Sequence, residues 1–265
     1  MTMYSMLLAN SNILEEIVSK EWQIPIGPYK IPFSNHMLMI MVACLLLMII
    51  LPLSLQAPVL VRKGFGSVIE TICVFLREDV VRPFLKEHTD RYIGVLWTLF
   101  FFILTMNLLG LMPIDKMMFL ITQKKHIGGA PTANIYVTGA LATFSFFLFH
   151  IAGIREKGLW NYLRTFTPQV PWPMLPFMFI LEAISSFVRI FSLAIRLFAN
   201  ILAGHILLAV ILGFIMIFKT FMAATGSLFA MILFSLLEIF IAFLQAYIFV
   251  FLTTIFIGFA VAEEH

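Results

Sequence analysis

The sequence predicts an all-α membrane protein with about five membrane helices, the last two of them long, and one amphipathic surface helix. Of its 265 residues, 62% are hydrophobic and 12% charged, and the mean hydropathy is +1.02. Soluble domains are about 45–50% apolar and roughly 25% charged. Several apolar stretches also reach the roughly 20 residues that a helix needs to cross a bilayer.

The chain divides into six segments. They are an outer N-terminal segment at 1–36, a first membrane helix at 37–60, an amphipathic inner-surface helix at 61–91, a helical hairpin with an outer loop at 92–154, an inner loop at 155–172 and a long helix pair at 173–265. The amphipathic assignment rests on Val68, Ile72, Phe75 and Leu76, which recur at helical spacing with charges around them.

The last third contains two unusually long helical patterns. One runs from about 174 to 218 with no proline after Pro176, and the other from about 221 to 261. The first would extend roughly 65–70 Å, about twice the hydrocarbon thickness. Each run is therefore either broken into two ordinary spans or inclined in the membrane. Gly226 could break the second run early, but nothing breaks its middle.

Basic residues in the loops predict the orientation. With the N-terminus outside, nine Lys and Arg fall inside and six outside, which favours this orientation. The inside set is Arg62, Lys63, Arg77, Arg82, Lys86, Arg91, Arg155, Lys157 and Arg164. The outside set is Lys20, Lys30, Lys116, Lys124, Lys125 and Lys219.

Several function classes are disfavoured. A net charge of +3 is too small to indicate nucleic-acid binding, and no phosphate-binding glycine motif is present. Cys44 and Cys73 lack the spacing of a metal or redox site, which predicts packing residues. We therefore expect no cofactor, no metal and no nucleotide chemistry by this chain alone. The N-terminal residues resemble neither a secretory signal nor a transit peptide.

A polar stripe runs through the first of the two long patterns. Its members are three or four residues apart and so share one helix face: Glu182, Ser185, Arg189, Ser192, Arg196, Asn200 and Ala203/Gly204. A charged side chain at membrane depth costs roughly 2.5 kcal/mol or more. Something must therefore compensate Arg196. Glu182 is about 20 Å away along the axis, so a carboxylate of another subunit is the expected partner.

Other polar residues extend this pattern. Glu238 and Gln245 are seven apart on the last helix and share a face, and Glu238 with His205 would form a buried titratable pair. Such a pair is a candidate proton relay. Arg189 could pair with Glu182 or extend to the membrane surface, whereas Asn200 and Gln245 could serve only as interhelical hydrogen-bonding groups.

The same residues resemble a known family, the membrane-embedded a subunit of F-type ATP synthases. The resemblance covers about 61–258 and rests on five stretches: SLAIRLFANILAGH (192–205), LLEIFIAFLQAYIFVFLTTIF (236–256), MNLLGLMPI (106–114), PTANIYVT (131–138) and LEAISSFVRIFSLAIR (181–196). The resemblance implies a stator subunit of a rotary proton motor, with its last two helices strongly tilted around a ring of c subunits. Peripheral-stalk b subunits and the lipid bilayer are the other implied partners.

Roles for individual residues also follow from the resemblance. Arg196 would separate two proton half-channels and make each passing ring carboxylate release its proton. The outer half-channel would use Asn200, His205, Glu238 and Gln245, and the inner one Glu182 with Ser185 or Ser186; Arg189 and Asn107 are secondary candidates. Many family members have glutamate where this chain has His205 and histidine where it has Glu238, and some bacterial members have aspartate at Gly110.

Two other functions stay open on sequence alone. A self-contained channel or transporter would place its site at the midplane, but neither internal repeats nor helix-breaking residues in the polar stretches support it. A scaffold that only anchors other subunits would not need Arg196. A bacterial plasma membrane is the expected location, with the mitochondrial inner membrane as the alternative.

Overall fold

The computed structural model describes residues 21–26, 29–55, 64–112, 130–166, 171–218 and 220–261. In these ranges the chain is helical apart from one β-hairpin. Five helical stretches are long and apolar enough to cross a membrane: Asn35–Leu53, Gly66–Leu111, Ile135–Lys157, Leu175–Leu208 and Ala224–Val261. The predicted all-α membrane fold with about five membrane helices is confirmed.

The hairpin lies in the N-terminal segment and was not predicted. Strand β1 (Glu21–Ile26) pairs antiparallel with β2 (Tyr29–Ser34), so that Glu21 lies opposite Ser34. Pro25 and Pro32 stand within the strands, and proline lowers the strand signal of a short segment. Helix α1 (Asn35–Leu55) follows directly, and the Ser34 hydroxyl accepts a hydrogen bond from the backbone N–H of Met37 at 3.3 Å.

The amphipathic segment is helical but changes type along its length. Helix α2 (Phe65–Phe75) continues as a π-helical turn (Leu76–Val81), α3 (Arg82–Leu85) and a 3₁₀ turn (Lys86–His88), before α4 (Thr89–Leu111) begins. Lys86 has a φ of 46°, a value that non-glycine residues rarely adopt. The chain reverses at this point.

Helices α2 and α4 form a side-by-side hairpin as a result. Trp97 Nε1 donates to the carbonyl oxygen of Cys73 at 3.0 Å, and Arg77 pairs with Asp90 at 2.6 Å. One face of the first arm is buried, with Ile69, Leu76, Val80, Val81 and Leu85 on it. Of the predicted apolar positions, Leu76 is buried but Val68 and Phe75 are exposed, so the buried face differs from the predicted one. The location of the segment on the inner membrane surface stays a prediction.

A short helix follows the third span. Helix α5 (Ile135–Lys157) is separated from α6 (Leu159–Thr165) by Gly158, whose φ of 77° is readily available only to glycine. This single residue lets the chain turn sharply. It places α6 close to the C-terminal half of α5.

The two long patterns form unbroken helices. Helix α7 (Leu175–Phe218) has 44 residues and α8 (Phe221–Val261) has 41. Their ends agree with the predicted limits to within one residue, and α8 continues through Gly226. At 1.5 Å per residue, each is about twice as long as the hydrocarbon core is thick. Because each pattern forms one continuous helix, the alternative in which each run is divided into two ordinary spans is excluded.

Contacts within the chain divide it into two compact units. The first unit comprises Met1–Leu47, Phe102–Val137 and Arg196–Gln245, and the second Met48–Phe101, Thr138–Ile195 and Ala246–His265. In the first, Asn107 of α4 donates from Nδ2 to the carbonyl oxygen of Ala242 on α8 at 3.3 Å. In the second, the hydroxyls of Ser145 (α5) and Thr253 (α8) are 2.7 Å apart.

Candidate functional site

Arg196 lies on an exposed face of α7. Ser192, Ala199 and Ala203, which lie one or two turns away on the same side of the helix, are exposed as well. Small side chains let a neighbouring helix approach closely in a membrane. This face therefore combines a permanent positive charge with a surface that a second helix can pack against.

Nothing in the part of the chain that the structure describes forms a hydrogen bond or ion pair with Arg196. Arg189, two turns earlier on the same helix, does have such a partner in Glu182. An uncompensated guanidinium among apolar side chains is costly in a membrane. The charge of Arg196 is thus available to an anion from outside this chain.

A second group of predicted residues lies in the first unit, between α7 and α8. Glu238 of α8 approaches so closely that a Cβ added to Gly204 would be 2.5 Å from its Oε1. His205 follows Gly204 in sequence and is partly buried. Any residue larger than glycine at 204 would require the carboxylate to move, so glycine is what lets Glu238 reach α7.

Asn107 and Gln245 extend this group toward α4. Asn107 is fully buried and Gln245 is 5% exposed. Asn107 Oδ1, Gln245 Nε2 and Glu238 Oε1 are buried without a hydrogen-bond partner among the described residues. Buried polar atoms normally form hydrogen bonds, frequently to water. These atoms give the first unit a polar interior capable of hydrogen bonding.

The third group lies in the second unit, on the N-terminal half of α7. Arg189 Nη2 donates to Glu182 Oε1 at 3.0 Å and to Ser185 Oγ at 3.3 Å, so of the two alternatives left open for Arg189 the pair with Glu182 is the one present. The guanidinium also stands over the ring of Phe256 of α8, 5.3 Å from its centroid. Arg189 is thereby held beside Glu182, in contrast to Arg196.

Two residues absent from the predicted set join this third group. His150 Nδ1 is 2.6 Å from the hydroxyl of Tyr162, and His150 Nε2 is 3.4 Å from Ser186 Oγ. A histidine within an apolar span is itself a signal of a functional site, and it could have been noticed in the sequence. Tyr162 carried no such signal because it lies in a basic loop, where a tyrosine is ordinary.

Tyr162 lies in α6, outside the five membrane spans, and is 7% exposed. Burial, together with the negative charge of Glu182, raises the pKa of the Tyr162 phenol to about 12. The phenol is therefore a neutral hydroxyl at physiological pH, able both to donate and to accept a hydrogen bond.

The side chains at the predicted site positions include groups that can take part in proton transfer. Within the described ranges, no three His, Cys, Asp or Glu side chains are grouped so that they could hold a metal ion. Carboxyl, imidazole, amide and hydroxyl groups predominate, and the first two can gain and lose protons near neutral pH when their environments shift their pKa values.

Comparison with known proteins decides the family. A model of the family described as ATP synthase A chain matches residues 36–258. The chain belongs to this family. The match extends further toward the N-terminus than the predicted resemblance and includes α1.

Curated relatives agree with this assignment. The ATP synthase subunit a of Chloroherpeton thalassium is 36% identical over 251 residues, which are 91% of this chain and 70% of the relative. The ATP synthase subunit a of Myxococcus xanthus is 38% identical over 245 residues, 90% of this chain and 76% of the relative. This ATP synthase a subunit is thus a multi-pass membrane protein that serves proton transport and ATP synthesis.

The predicted site residues of this a subunit fall into two sets that match the two units. Asn200, His205, Glu238, Gln245 and Asn107 all belong to the first unit, whereas Glu182, Ser185, Ser186 and Arg189 all belong to the second. Arg196 is the first residue of the α7 segment assigned to the first unit.

Proposed function

We propose that this a subunit is the stator of the rotary motor, and that it forms two proton half-channels that load and unload the carboxylates of a ring of c subunits. Asn200, His205, Glu238 and Gln245 carry protons on the outer side, with Asn107 as a secondary contributor. Glu182, Ser185 and Ser186 carry them on the inner side, with Arg189 in support. Arg196 lies between the two paths.

The observation that carries this proposal is the exposed, uncompensated charge of Arg196. Arginine stays protonated at any ordinary pH. Its guanidinium stabilises a nearby carboxylate in the ionised form, because an opposite charge within a few ångströms favours ionisation. A ring carboxylate arriving at Arg196 would therefore release its proton, and the same fixed positive charge would repel a hydronium ion that entered from either side.

The order of the proposed residues along α7 supports the same mechanism. Moving one proton across 100 mV is worth about 2.3 kcal/mol, and a continuous path through one protein would dissipate that energy. Along α7, Arg196 comes after the inner residue Glu182 and before the outer residue Asn200, and a permanent cation at that position makes transfer depend on the ring carboxylate. Proton flow is then coupled to rotation.

Partners and location follow from the same proposal. The ring helices pack against the small residues near Arg196, and the b subunits of the peripheral stalk hold the stator in place. This chain performs no nucleotide chemistry, which belongs to other parts of the complex. The relatives compared here are bacterial, which favours a bacterial plasma membrane over the mitochondrial inner membrane.

Replacing Arg196 by Ala in the assembled synthase tests the proposal. Inverted membrane vesicles would be supplied with ATP, and proton uptake would be followed with a pH-sensitive dye. We expect Arg196→Ala to abolish uptake while the complex still assembles, as judged by co-purification of its subunits. Arg164→Ala, which removes the same charge from an exposed position of α6, is the matched control and should pump normally.

Two outcomes would contradict the proposal. Normal uptake by Arg196→Ala would indicate a scaffold, because a scaffold needs no charge at that position. Proton conduction by the purified chain alone in liposomes would indicate a self-contained channel, because a stator without its ring has no carriers to link the two paths.

A further inference from the structure

Three side chains from three helices are aligned in series in the second unit. Tyr162 (α6) contacts His150 (α5), which contacts Ser186 (α7), with heavy-atom distances of 2.6 and 3.4 Å. Each ring nitrogen of His150 has its own partner: Nδ1 contacts the Tyr162 hydroxyl, and Nε2 contacts the Ser186 hydroxyl. The imidazole therefore stands between two hydroxyl groups.

One end of this series lies beside the inner carboxylate. Ser186 comes four residues after Glu182 on α7, so their side chains are neighbours on the helix surface. The negative charge of Glu182 also acts on Tyr162. Arg189 holds Glu182 in place through its 3.0 Å contact. Glu182, Arg189 and Tyr162 are thus charged or titratable groups of α6 and α7 near the series.

The other end of the series, Tyr162, belongs to a segment outside the five membrane spans. Tyr162 belongs to α6, which follows the third span and lies in the basic loop that loop charges predict on the inner side. Nearby Arg155, Lys157 and Arg164 contribute to that charge. The series thus leads from a carboxylate within the apolar region toward the inner surface.

Aromatic rings surround the central imidazole. Phe146 and Phe149 of α5 have their ring centroids 4.2 and 4.4 Å from that of His150, and Phe166 lies 6.0 Å away. These rings cover part of the half-buried imidazole, whose hydrogen-bonding neighbours are the two hydroxyl groups. A histidine bonded on both sides can accept a proton from one partner and give a proton to the other.

Gly153 allows Tyr162 to approach α5. A Cβ at this position would be 2.7 Å from Tyr162 Cδ2 and closer still to Cε2, and 3.1 Å from the Cβ of Ala260. Real Cβ atoms essentially never come so close. The contact between Tyr162 and His150 therefore depends on a glycine one turn further along α5.

We infer that Tyr162, His150 and Ser186 form a proton relay between Glu182 and the inner surface. This inference rests on the proposed function, which gives Glu182 its place on the inner path. It adds His150 and Tyr162 as proton carriers. It thereby specifies the residues through which a proton passes from Glu182 to the inner surface.

In the proposed relay, four successive proton transfers lead from Glu182 to water. Glu182 gives a proton to the Ser186 oxygen, while the Ser186 hydroxyl proton passes to His150 Nε2. The proton on Nδ1 moves to the Tyr162 oxygen, and the phenol releases its own proton to water. Each transfer forms one O–H or N–H bond and breaks another, so one proton leaves Glu182 and one appears in the inner medium. Return of the imidazole to the tautomer protonated on Nδ1, together with rotation of the two hydroxyl groups, restores the starting arrangement.

A structural role is the alternative explanation, because the same hydrogen bonds tie α5, α6 and α7 together. Chemical rescue by imidazole distinguishes a structural role from a proton relay. His150→Ala leaves a space that free imidazole can fill, and imidazole added to the medium can carry protons but cannot tie helices together. Restored proton uptake would therefore be specific to a relay.

The experiment uses the assembled synthase in inverted vesicles, with ATP-driven proton uptake and ATP hydrolysis measured on the same preparations. We expect His150→Ala and Tyr162→Phe to lower proton uptake roughly tenfold or more, and imidazole to restore uptake in His150→Ala but not in Arg196→Ala. Tyr136→Phe, at a tyrosine that is 84% exposed, and Ser145→Ala, at a buried hydroxyl bonded to Thr253, are the controls and should keep full uptake.

The results also separate this inference from the proposed function. If Arg196→Ala abolishes uptake but His150→Ala and Tyr162→Phe leave it intact, the relay is wrong and the stator function stands. If uptake falls only in proportion to the amount of assembled complex and imidazole does not restore it, the network is structural and the relay is again wrong. Normal uptake in Arg196→Ala overturns the proposed function itself.

Discussion

Glu238 lies directly against Gly204, across the contact between α7 and α8 in the first unit. A Cβ at 204 would be 2.5 Å from the carboxylate oxygen and 3.1 Å from the carboxyl carbon. The glycine therefore sets the position of a proposed proton carrier. Its neighbour in sequence is His205, the other member of the pair predicted for the outer path.

Gly204→Ala should slow proton uptake several-fold by displacing the Glu238 carboxylate. Overpacking at a tight contact costs roughly 1–3 kcal/mol, which exceeds the gain of up to about 1 kcal/mol that alanine brings within a helix. Glu238→Asp, whose side chain is one methylene shorter, should recover part of the uptake when combined with Gly204→Ala.

Gly213→Ala is the matched control for that change. Gly213 lies on the same helix, and a Cβ there would meet no atom within 4 Å. It should leave uptake unchanged. Equal losses for the two alanine variants would contradict the steric explanation and point to a general requirement for glycine in α7.

Asn107→Leu should lower both stability and proton uptake. It removes the 3.3 Å hydrogen bond to the Ala242 carbonyl and the free acceptor Oδ1 at a fully buried position. A hydrogen bond contributes about 1 kcal/mol to stability. Thermal unfolding of the detergent-solubilised complex measures the first effect, and vesicle uptake the second. Asn107→Asp keeps an acceptor and should retain more uptake than Asn107→Leu; the reverse order would exclude a role for the polar group.

Glu182→Gln should reduce proton uptake more than Glu182→Asp does. The amide preserves the contact with Arg189 in shape but cannot release a proton, whereas aspartate can. A double-mutant cycle with Arg189→Gln would measure the ion pair, whose two side chains are each about one-third exposed. Coupling in stability on the order of 1 kcal/mol or less is expected for such a pair. Unchanged uptake in Glu182→Gln would remove Glu182 from the inner path.

Tyr162→Phe should change how stability depends on pH above about pH 10. The pKa of Tyr162 is raised from 10.0 to about 12 in the folded chain, so the folded state holds the phenolic proton more tightly than the unfolded state. This stabilisation is complete below pH 10 and is lost as the pH rises toward 12. A shift of this size corresponds to roughly 2–3 kcal/mol.

Melting temperatures of wild type and Tyr162→Phe between pH 9 and pH 12 test this point. The wild type should lose stability faster on the alkaline side, and Tyr136→Phe should follow the wild type. If the melting temperatures of wild type and Tyr162→Phe depend on pH in the same way, the folded state does not hold the Tyr162 proton more tightly than the unfolded state does.

Much of the fold could be predicted from hydropathy and spacing. The ends of α7 and α8 followed from the extent of the apolar runs, and the seven-residue spacing of Glu182 and Arg189 made their contact one of two alternatives. Properties that depend on one helix alone are visible in a single sequence.

Contacts between helices were not predictable in the same way. His150, Tyr162 and Ser186 belong to three helices, and periodicity does not indicate which helices are neighbours. The approach of Tyr162 depends on Gly153 and on the turn at Gly158, and the turn of the α2–α4 hairpin depends on an unusual backbone angle at Lys86. The β-hairpin escaped prediction because two prolines weaken its short strands.

The most direct measurement is a structure of the assembled complex, in which the distance from the Arg196 guanidinium to the nearest carboxylate of the rotating ring can be read. Our account predicts that this carboxylate lies within about 4–6 Å, the range over which a cation strongly favours its ionised form. An Arg196 side chain that faces lipid, or that pairs only with residues of its own chain, would contradict the account.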